Sequence, residues 1–418
     1  MEKFMITTFA HGNGPYSRTV DLGLAINNIL KEKKEDPLSI IVPLVYGDRQ
    51  KNIMLEDFGD IIKNNPNLIL FDETYGEILN KLFFKTGHYK ENLELLLEKQ
   101  PELEEQLNNH LSGKFKVKNF GGDEIEVYRD DIAFEISHNP RVATHFAKSY
   151  YTTIAFFSEI LRKAAKESSL IDGPNAFDKK LLLEVAEKIA DKIENDKKMH
   201  FMPEPFVFSY DSNRKRLRGE IFTPPFIHLQ PVNTEDIKEG MYVMVTGIDG
   251  LMDLFKGVKD FGQELYCPPF VNIEGVGPEN KKHPNFVFNR NIDYQFARTG
   301  WSTVWWSLMS KTPLIAPKYT KGDDPEIYFN ELSVSQLGLA VIFDSSRIPR
   351  ETLQDANFLR PNLENVNELL NQNYGKVDGM DYTADIIVRD LMGADISKFR
   401  MKEPCLQGYK SIEVLLPD

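Results

Sequence analysis

The sequence predicts an α/β fold made of two Rossmann-like domains with a cleft between them. The chain has 418 residues, which is too long for one ordinary core and suits two. Short apolar segments without polar alternation, such as residues 39–45, are typical of parallel strands covered on both faces. Strand and helix patterns alternate through the first half and begin again near residue 241, as expected for two doubly wound units.

The first half opens with a strand, a glycine loop and a helix. Residues 4–9 predict a buried strand, and residues 11–15 form a loop that leads into a helix over residues 18–31. The same patterns predict further strands at 39–45, 68–71 and 132–136, a hairpin at 115–127, and helices at 90–111, 146–166 and 178–197.

The second half repeats the alternation. Prolines flank a basic cluster at residues 214–218, and the strand and helix pattern is interrupted there. We therefore place the domain boundary between about residues 200 and 235. We divide the chain into domains at 1–205, with a helical insertion, and 206–395, followed by a tail at 396–418. The patterns predict strands at 241–246, 286–288, 313–316 and 339–343, and helices at 251–261, 302–310, 326–337, 363–370 and 382–391.

The composition excludes some classes of protein. The formal net charge is −13, and an acidic surface repels a phosphate backbone, so we expect no nucleic-acid partner. Cys267 and Cys405 are too few and too far apart for a disulfide framework or a zinc-binding pair. We interpret them as reduced thiols.

The expected location is the cytoplasm. The sequence shows neither a signal peptide nor the ~18 consecutive apolar residues that cross a bilayer. The basic cluster at residues 214–218 has two interpretations, which are a solvated loop and a peripheral contact with the inner membrane surface or a phosphate.

A glycine turn precedes the predicted helix at residues 302–310. The exposed amides of a helix N-terminus carry partial positive charge and form a seat for a diphosphate. Gly300 supplies the turn, and the hydroxyls of Ser302 and Thr303 and the guanidinium of Arg298 add hydrogen-bond donors. The alternative is an ordinary turn and capped helix of any α/β fold.

Two polar side chains follow on the next predicted helix. Glu326 and Asn330 are one helical turn apart and share a face, which is able to meet the hydroxyls of a sugar. Trp301 and Trp305 also share a helix face, and we expect them to pack in the core, with sugar or base stacking as the alternative.

The order of these features over about residues 241–343 resembles the C-terminal half of the GT-B glycosyltransferases. The likeness is nearest to the N-acetylglucosaminyltransferases that make the bacterial cell-wall lipid precursor. It implies that Gly300, Ser302 and Thr303 lie at the donor diphosphate and that Glu326 and Asn330 lie near the donor sugar.

The same resemblance includes a second glycine turn, but at Trp306 the sequence departs from the family pattern. The turn at residues 246–250 is similar to the family's second glycine turn, which places Gly247 near the donor. Trp306 stands where the family usually has an acidic residue that holds the nucleotide ribose. A tryptophan cannot accept a hydrogen bond from a ribose hydroxyl in that way.

The loop after the first strand resembles the family's N-terminal glycine loop, which faces the cleft. Gly12, Asn13 and Gly14 would then contact the acceptor, and Arg18 would approach the donor phosphates. Pro15 occupies the position of the family's histidine, so His11 is our candidate for the general base, with a locally bonded loop histidine as the alternative.

A second polar segment follows the strand predicted at residues 132–136. Because the carboxyl ends of parallel strands face the ligand crevice, His138 and Arg141 are candidates for acceptor binding or base catalysis. A polar loop without a binding role is the alternative.

The resemblance implies transfer of a hexose-type sugar from a nucleotide-diphosphate sugar, UDP-linked, to a carbohydrate or lipid-linked acceptor hydroxyl. It implies no cofactor and no bound metal. Two alternatives stay open: a sugar-nucleotide 2-epimerase of the same fold, and a degenerate GT-B-like subunit used for binding or assembly.

Overall fold

A computed structural model describes residues 3–9, 13–83, 88–138, 141–228, 230–244, 255, 262–269, 271–273, 275–344 and 348–411. For residues 13–15 it describes the backbone alone. His11, Gly12 and Gly247, which the sequence analysis selected, lie outside the described residues, as does most of the helix predicted at residues 251–261.

The described residues form one nine-stranded and one five-stranded sheet, which confirms the predicted α/β class. The first sheet has the order β5-β4-β3-β2-β1-β6-β7-β8-β9. Its strands are β1 (Phe4–Phe9), β2 (Ser39–Pro43), β3 (Ile69–Asp72), β4 (Lys114–Lys118), β5 (Glu124–Tyr128), β6 (Ile132–His138), β7 (Ser149–Thr152), β8 (Met199–Pro203) and β9 (Glu220–Thr223).

The first sheet is parallel from β3 to β9, and its centre is buried on both faces. Every residue of β1 is buried, as its apolar sequence predicts. The hairpin β4–β5 is antiparallel and alternates, with Phe115 and Val117 inside. Lysines of β4 point outward and pair with glutamates of β5, which keeps this edge strand charged.

The second sheet is parallel throughout, with the order β11-β10-β12-β13-β14. In each sheet the order of the strands reverses between two neighbours, which are β1 and β6 in the first sheet and β10 and β12 in the second. We call each of these places a switch point. Ligands of open α/β sheets bind at the carboxyl ends of such strands. The strands of this sheet are β10 (Gly240–Met244), β11 (Glu264–Tyr266), β12 (Ile292–Ala297), β13 (Leu314–Pro317) and β14 (Ala340–Phe343).

Helices connect the strands and cover the sheets. The π-helical turn Ala186–Ala190 lies between α7 and α8, and 3-10 turns occur at Arg129–Asp131, Pro278–Asn280 and Pro284–Phe288. The α-helices are α1 (Asn13–Glu32), α2 (Gly47–Asn64), α3 (Glu73–Leu82), α4 (Tyr89–Leu111), α5 (Phe157–Ala164), α6 (Ser168–Ile171), α7 (Lys179–Val185), α8 (Asp191–Asn195), α9 (Trp301–Ser310), α10 (Pro325–Gln336), α11 (Arg350–Asn357), α12 (Arg360–Tyr374), α13 (Gly379–Leu391) and α14 (Ser397–Arg400).

Two predicted elements are wrong. The helix predicted at residues 146–166 begins instead as strand β7, because Tyr150 and Tyr151 favour a buried strand, and only its later part is helical. The strand predicted at residues 286–288 is a 3-10 turn that begins at Pro284, and the sheet strand follows as β12.

Both ends of the second half contact the first. Strand β9 belongs to the first sheet although it follows residue 205, and α13 packs against α1. In the segment after residue 396, the amide of Gly408 donates to the carbonyl of Ser209 at 2.7 Å. The domain limits at 205 and 395 stay predictions.

A buried ion pair lies in the middle of the first sheet. Lys197 and Glu135 are both fully buried, and the Lys197 Nζ atom lies 2.8 Å from the Glu135 Oε2 atom. The Glu135 carboxylate also accepts hydrogen bonds from Thr8 and Ser149. These contacts join β1, β6 and β7 to the residue that leads into β8, so they fix the packing of the sheet centre.

We expect Lys197→Met to lower the free energy of unfolding by about 3–5 kcal/mol, because it leaves the Glu135 carboxylate buried without its countercharge. Chemical denaturation measures the loss. The double variant Lys197→Met/Glu135→Gln is the control, and it should recover part of the loss because the remaining amide carries no charge. A double variant no more stable than the single one would contradict this explanation.

Candidate functional site

The start of α9 lies at the carboxyl end of β12, the switch point of the second sheet. Gly300 is the N-cap residue, with φ −75° and ψ 140°, and no side chain caps the helix. The Thr303 hydroxyl instead donates to the carbonyl oxygens of Arg298 and Gly300, at 2.9 and 2.7 Å. Thr303 therefore holds the turn, and Ser302 is half-buried beside it. The first amides of α9 have no side-chain cap and are positioned to receive an anion.

Arg298 and the start of α10 form the second part of the site. The Arg298 guanidinium makes an ion pair with Asp323. The Nδ2 atom of Asn330 donates to the Oε1 atom of Glu326 at 3.2 Å, which confirms that these two side chains share a face. The Oδ1 atom of Asn330 is buried and accepts no hydrogen bond from any described residue. The face therefore holds an unused buried acceptor.

Residues of the first half lie opposite α10. The amide of Tyr89 donates to the carbonyl of Gly322 at 3.2 Å, which joins the start of α4 to the loop before α10. Arg141 is 4% exposed and donates to the carbonyl of Leu82 at 2.8 Å. Its guanidinium also lies close enough to Asp324 to lower the pKa of that carboxyl group.

The carboxyl groups of Asp324 and Glu326 are half-buried, and this environment disfavours their ionised forms. Partial removal from water, together with the charge of the neighbouring Asp323, raises the pKa of Asp324 to about 6, whereas a hydrogen bond from the Glu326 amide and the charges of Arg141 and Arg298 oppose the shift. Burial and the charge of Asp324 raise the pKa of Glu326 to about 8. Glu326 is therefore able to donate a proton or hydrogen bond near neutral pH.

A second group of contacts links α1 to α9. The Arg18 guanidinium lies over the ring of Trp305 at 5.0 Å and donates to the carbonyl of Phe226 at 2.7 Å. The Trp305 Nε1 atom in turn donates to the carbonyl of Pro205 at 3.0 Å. Arg18 therefore holds the two halves together through packing and a backbone hydrogen bond.

His138 ends β6 beside Arg18. Its Nδ1 atom lies 3.3 Å from the hydroxyl of Thr152. Burial and the charge of Arg18 together lower the pKa of His138 to about 4, so the imidazole is neutral at pH 7. Asn13 and Gly14 begin α1 at the carboxyl end of β1, the switch point of the first sheet.

The three tryptophans of α9 pack against other rings. Trp301 and Trp305 are 3% and 2% exposed, which agrees with core packing. Trp306 is half-buried, with its ring 6.0 Å from that of Phe288. At the position where the resemblance expects an acidic residue, the structure therefore has an aromatic contact within the second half.

Sequence reasoning missed several side chains of the site. Tyr89 and Tyr151 are buried beside Arg141 and Glu326, but neither lies in a motif, and only the fold brings them there. The Asp324 carboxylate accepts from the amide of Glu326 and caps α10, which the Asp-Pro sequence at the helix start signals.

One histidine and two aspartates form a further cluster next to the start of α13, where the chain returns to the first half. Ligand atoms of His228, Asp378 and Asp381 lie within 4.8 Å of one another. Asp378 caps α13 by accepting from the amides of Met380 and Asp381, and it also lies 3.2 Å from the His228 Nδ1 atom. A helix cap and an ion pair account for this arrangement.

Comparison with solved structures finds proteins that align with most of the chain. No protein-family model matches it, and no curated protein matches it. UGT2 of Phytolacca americana, complexed with UDP-2fluoro-glucose and pterostilbene, aligns over 93% of this chain and 100% of its own, with a TM-score of 0.56 and 9% identity. TcCGT1 in complex with UDP aligns over 94% and 100%, with a TM-score of 0.55 and 12% identity.

The glycotransferase of kitacinnamycin aligns over 94% of this chain and 100% of its own, with a TM-score of 0.54 and 10% identity. The chain has the GT-B fold. In a GT-B protein the two sheets carry separate halves of one cleft, which agrees with the switch points at β1 and β12. The closer likeness to the cell-wall transferases stays a prediction.

Glu326→Gln tests the electrostatics of the cleft. Because the pKa of Glu326 is raised in the folded state, its contribution to stability is complete at low pH and is lost as pH rises towards about 8. We therefore expect the variant to match the wild type at pH 4 and to be more stable at pH 9 by about 1–2 kcal/mol, a value discounted for partial solvent screening. Thermal unfolding across this range measures the difference. A variant less stable at pH 9 would show that the ionised carboxylate is compensated in the fold.

Proposed function

We propose that this GT-B protein transfers a hexose-type sugar from a nucleotide-diphosphate sugar to an acceptor hydroxyl. The observation that carries the proposal is the meeting of three features at the β12 switch point. These are the first turn of α9 without a side-chain cap, the Arg298 guanidinium and the shared face of Glu326 and Asn330. Two of the solved structures of this fold hold UDP or UDP-2fluoro-glucose, which supports a UDP-linked donor.

The diphosphate of the donor would lie against the first turn of α9. Its charge is complementary to the partial positive charge of the amides after Gly300 and to Arg298. Arg298 would exchange Asp323 for the phosphate oxygens, and the Ser302 hydroxyl would add a donor, while Thr303 keeps the turn in shape. These groups stabilise the charge that develops on the departing nucleoside diphosphate. Gly247 is proposed to approach the donor from the neighbouring turn.

The donor sugar would lie against α10. The unused Oδ1 atom of Asn330 is an acceptor for a sugar hydroxyl, and the carboxyl group of Glu326 is able to accept or donate. A site that leaves a buried acceptor unpaired without ligand discriminates strongly in favour of sugars that carry the matching hydroxyl. This arrangement supports a hexose with its full set of hydroxyls.

The acceptor would lie against the first half, at the carboxyl ends of β1 and β6. His11 is proposed as the base that takes the proton of the acceptor hydroxyl while that oxygen attacks the anomeric carbon and the nucleoside diphosphate leaves. Gly12, Asn13 and Gly14 would allow close approach of the acceptor backbone or ring. His138 and Arg141 would border the same space, with His138 neutral and able to accept a hydrogen bond.

Arg18 has a different proposed role from the one that the sequence indicates. Its guanidinium already stacks on Trp305 and donates to Phe226. We assign it to positioning: it would hold α9 against α1 and act on the donor phosphates through the placement of the helix start. Arg298 and the amides of α9 would supply the positive charge, so transfer is proposed to need no metal.

Stabilisation by nucleotide sugars, combined with product analysis, tests the proposal. Thermal unfolding with UDP, UDP-sugars and other nucleotide sugars identifies the donor, because a ligand of the folded state raises Tm. Formation of a glycosylated acceptor in the presence of EDTA would support metal-independent transfer. An epimerised donor without acceptor would identify a 2-epimerase, and binding without either product would identify a binding or assembly subunit. No stabilisation by any nucleotide sugar would overturn both enzymatic functions.

Gly300→Ser should separate stability from donor binding. A Cβ atom at Gly300 would meet no atom within 4 Å, and its φ is one that any residue adopts, so serine fits there. A serine N-cap satisfies an amide of α9, so we expect stability to rise by a few tenths of a kcal/mol. The same hydroxyl would occupy the amides that are proposed to bind the diphosphate, so the affinity for the donor should fall by about tenfold.

The control for Gly300→Ser is Gly113→Ser, a position after α4 that also offers open space. This control should leave donor affinity unchanged in calorimetric titration. Unchanged donor affinity in Gly300→Ser would contradict a diphosphate at the start of α9.

His11→Ala tests the base. We expect kcat to fall by about 10²–10⁴ while the Kd of the donor stays unchanged, because the imidazole acts on the acceptor proton. His138→Ala is the matched variant on the neighbouring strand, and it should raise the KM of the acceptor with a smaller effect on kcat. Steady-state kinetics with the donor and acceptor found above measures both. A larger loss of kcat in His138→Ala would move the base to that residue.

A further inference from the structure

A basic surface lies next to the edge strand β9 of the first sheet, away from the site above. We call this surface the basic patch. It consists of Lys215, Arg216, Leu217, Arg218, Lys398, Arg400 and Met401. Two stretches of chain far apart in sequence form it, and the Nη1 atom of Arg216 joins them by donating to the carbonyl of Arg400 at 2.5 Å.

The basic cluster of the sequence divides into a buried and an exposed part. Arg214 is buried and makes ion pairs with Glu159 and Glu220, so it anchors the loop to the first half. Lys215 and Arg218 are exposed, as are Lys398 and Arg400 on α14. None of these four makes an ion pair with a described residue.

The charge of the patch contrasts with that of the whole chain. The chain carries a formal net charge of −13, whereas the patch gathers five cationic side chains. Nearby carboxylates offset only part of this charge. Glu403 lies 3.7 Å from Arg216, and Asp395, whose pKa is lowered first by hydrogen bonds from Ser397 and then by the charge of Lys398, lies near that lysine. The remaining positive charge faces solvent.

Apolar side chains stand among these cations. Met401 is 69% exposed, the largest exposure of any large hydrophobic side chain among the described residues. Leu217 is 37% exposed between Arg216 and Arg218. A depression of about 290 Å³ beside Leu217 is lined by residues 216–220 and Arg400.

We propose that the basic patch binds an anionic membrane surface. The lysines and arginines would pair with lipid phosphates, one of which fits the depression beside Arg400, and Leu217 and Met401 would enter the interface. Exposed apolar side chains favour a bilayer over a soluble anion or a nucleic-acid backbone, because only the bilayer offers an apolar environment beside its phosphates. Among the described residues no helix has the length and apolar character to span a bilayer.

The position of the patch sets the orientation of the bound protein. Residues 215–219 precede β9, so the patch lies at the amino ends of the parallel strands, whereas the switch points lie at their carboxyl ends. The bound protein would therefore hold the cleft on the side away from the bilayer. This inference does not rest on the proposed transferase function.

Sedimentation with vesicles tests the proposal on the full chain. We expect binding to vesicles of phosphatidylcholine and phosphatidylglycerol, weakening with salt, and much less binding to phosphatidylcholine alone. The variant Lys215→Gln/Arg218→Gln should bind anionic vesicles about 25-fold more weakly, since each charge near the surface contributes about fivefold. Leu217→Ser/Met401→Ser should also weaken binding but keep the salt dependence.

Lys31→Gln/Lys33→Gln is the matched control, with the same loss of charge at exposed positions near the end of α1. It should bind like the wild type, and unchanged Tm values confirm that all variants are folded. Equal loss in this control, or no preference for anionic vesicles, would overturn the proposal. Calorimetric binding of inorganic phosphate or RNA to the patch without vesicle binding would also overturn it and identify a soluble anion or a nucleic acid as the ligand.

Discussion

The balance of charge between the two halves is the constraint on which the proposed site depends. Arg141 is buried, and Asp324 and Glu326 opposite it are half-buried in surroundings that raise the pKa of both carboxyl groups, so each carboxylate needs a positive group or a proton. Arg298 contributes one of these charges while it pairs with Asp323. In the proposed function, a diphosphate that takes Arg298 would leave the carboxyl groups with less compensation, which would favour protonation of Glu326 or a closer contact with Arg141. Donor binding and the contact between the halves would then be coupled through this shared charge.

Many secondary-structure elements of the second half can be predicted from the sequence, because they depend on patterns among residues that are close in the chain. Helical periodicity alone places Glu326 beside Asn330, and a glycine before an apolar helix identifies the start of α9. The strands that these helices follow are short apolar runs, which predict a buried parallel sheet. The partners from the first half are different, because Tyr89 and Tyr151 reach the site through the packing of α4 and β7. No sequence spacing shows such contacts, since the pairing of distant strands decides them.

Between residues 200 and 235 the composition alone does not distinguish a linker from part of a folded domain. Its prolines and basic residues are typical of a linker, yet β8 and β9 complete the first sheet there. Arg214 ties the segment to the first half: its buried guanidinium is balanced by Glu220 nearby and by Glu159, which is 55 positions earlier. A charge run shows neither which of its members is buried nor which partner neutralises it. The other basic residues of the run, Lys215, Arg216 and Arg218, belong to the basic patch.

The two halves are joined by two stretches of chain that touch each other. The amide of Gly379, at the start of α13, donates to the carbonyl of Pro225 at 2.9 Å. A Cβ atom at Gly379 would lie 2.2 Å from the carbonyl oxygen of Pro224, so only glycine permits this approach. Arg18 adds a further contact between the halves, because its guanidinium stacks on the ring of Trp305 and donates to the carbonyl of Phe226. The residue that the sequence assigned to phosphate binding therefore holds α1 against α9, which is why its proposed effect on the donor is indirect.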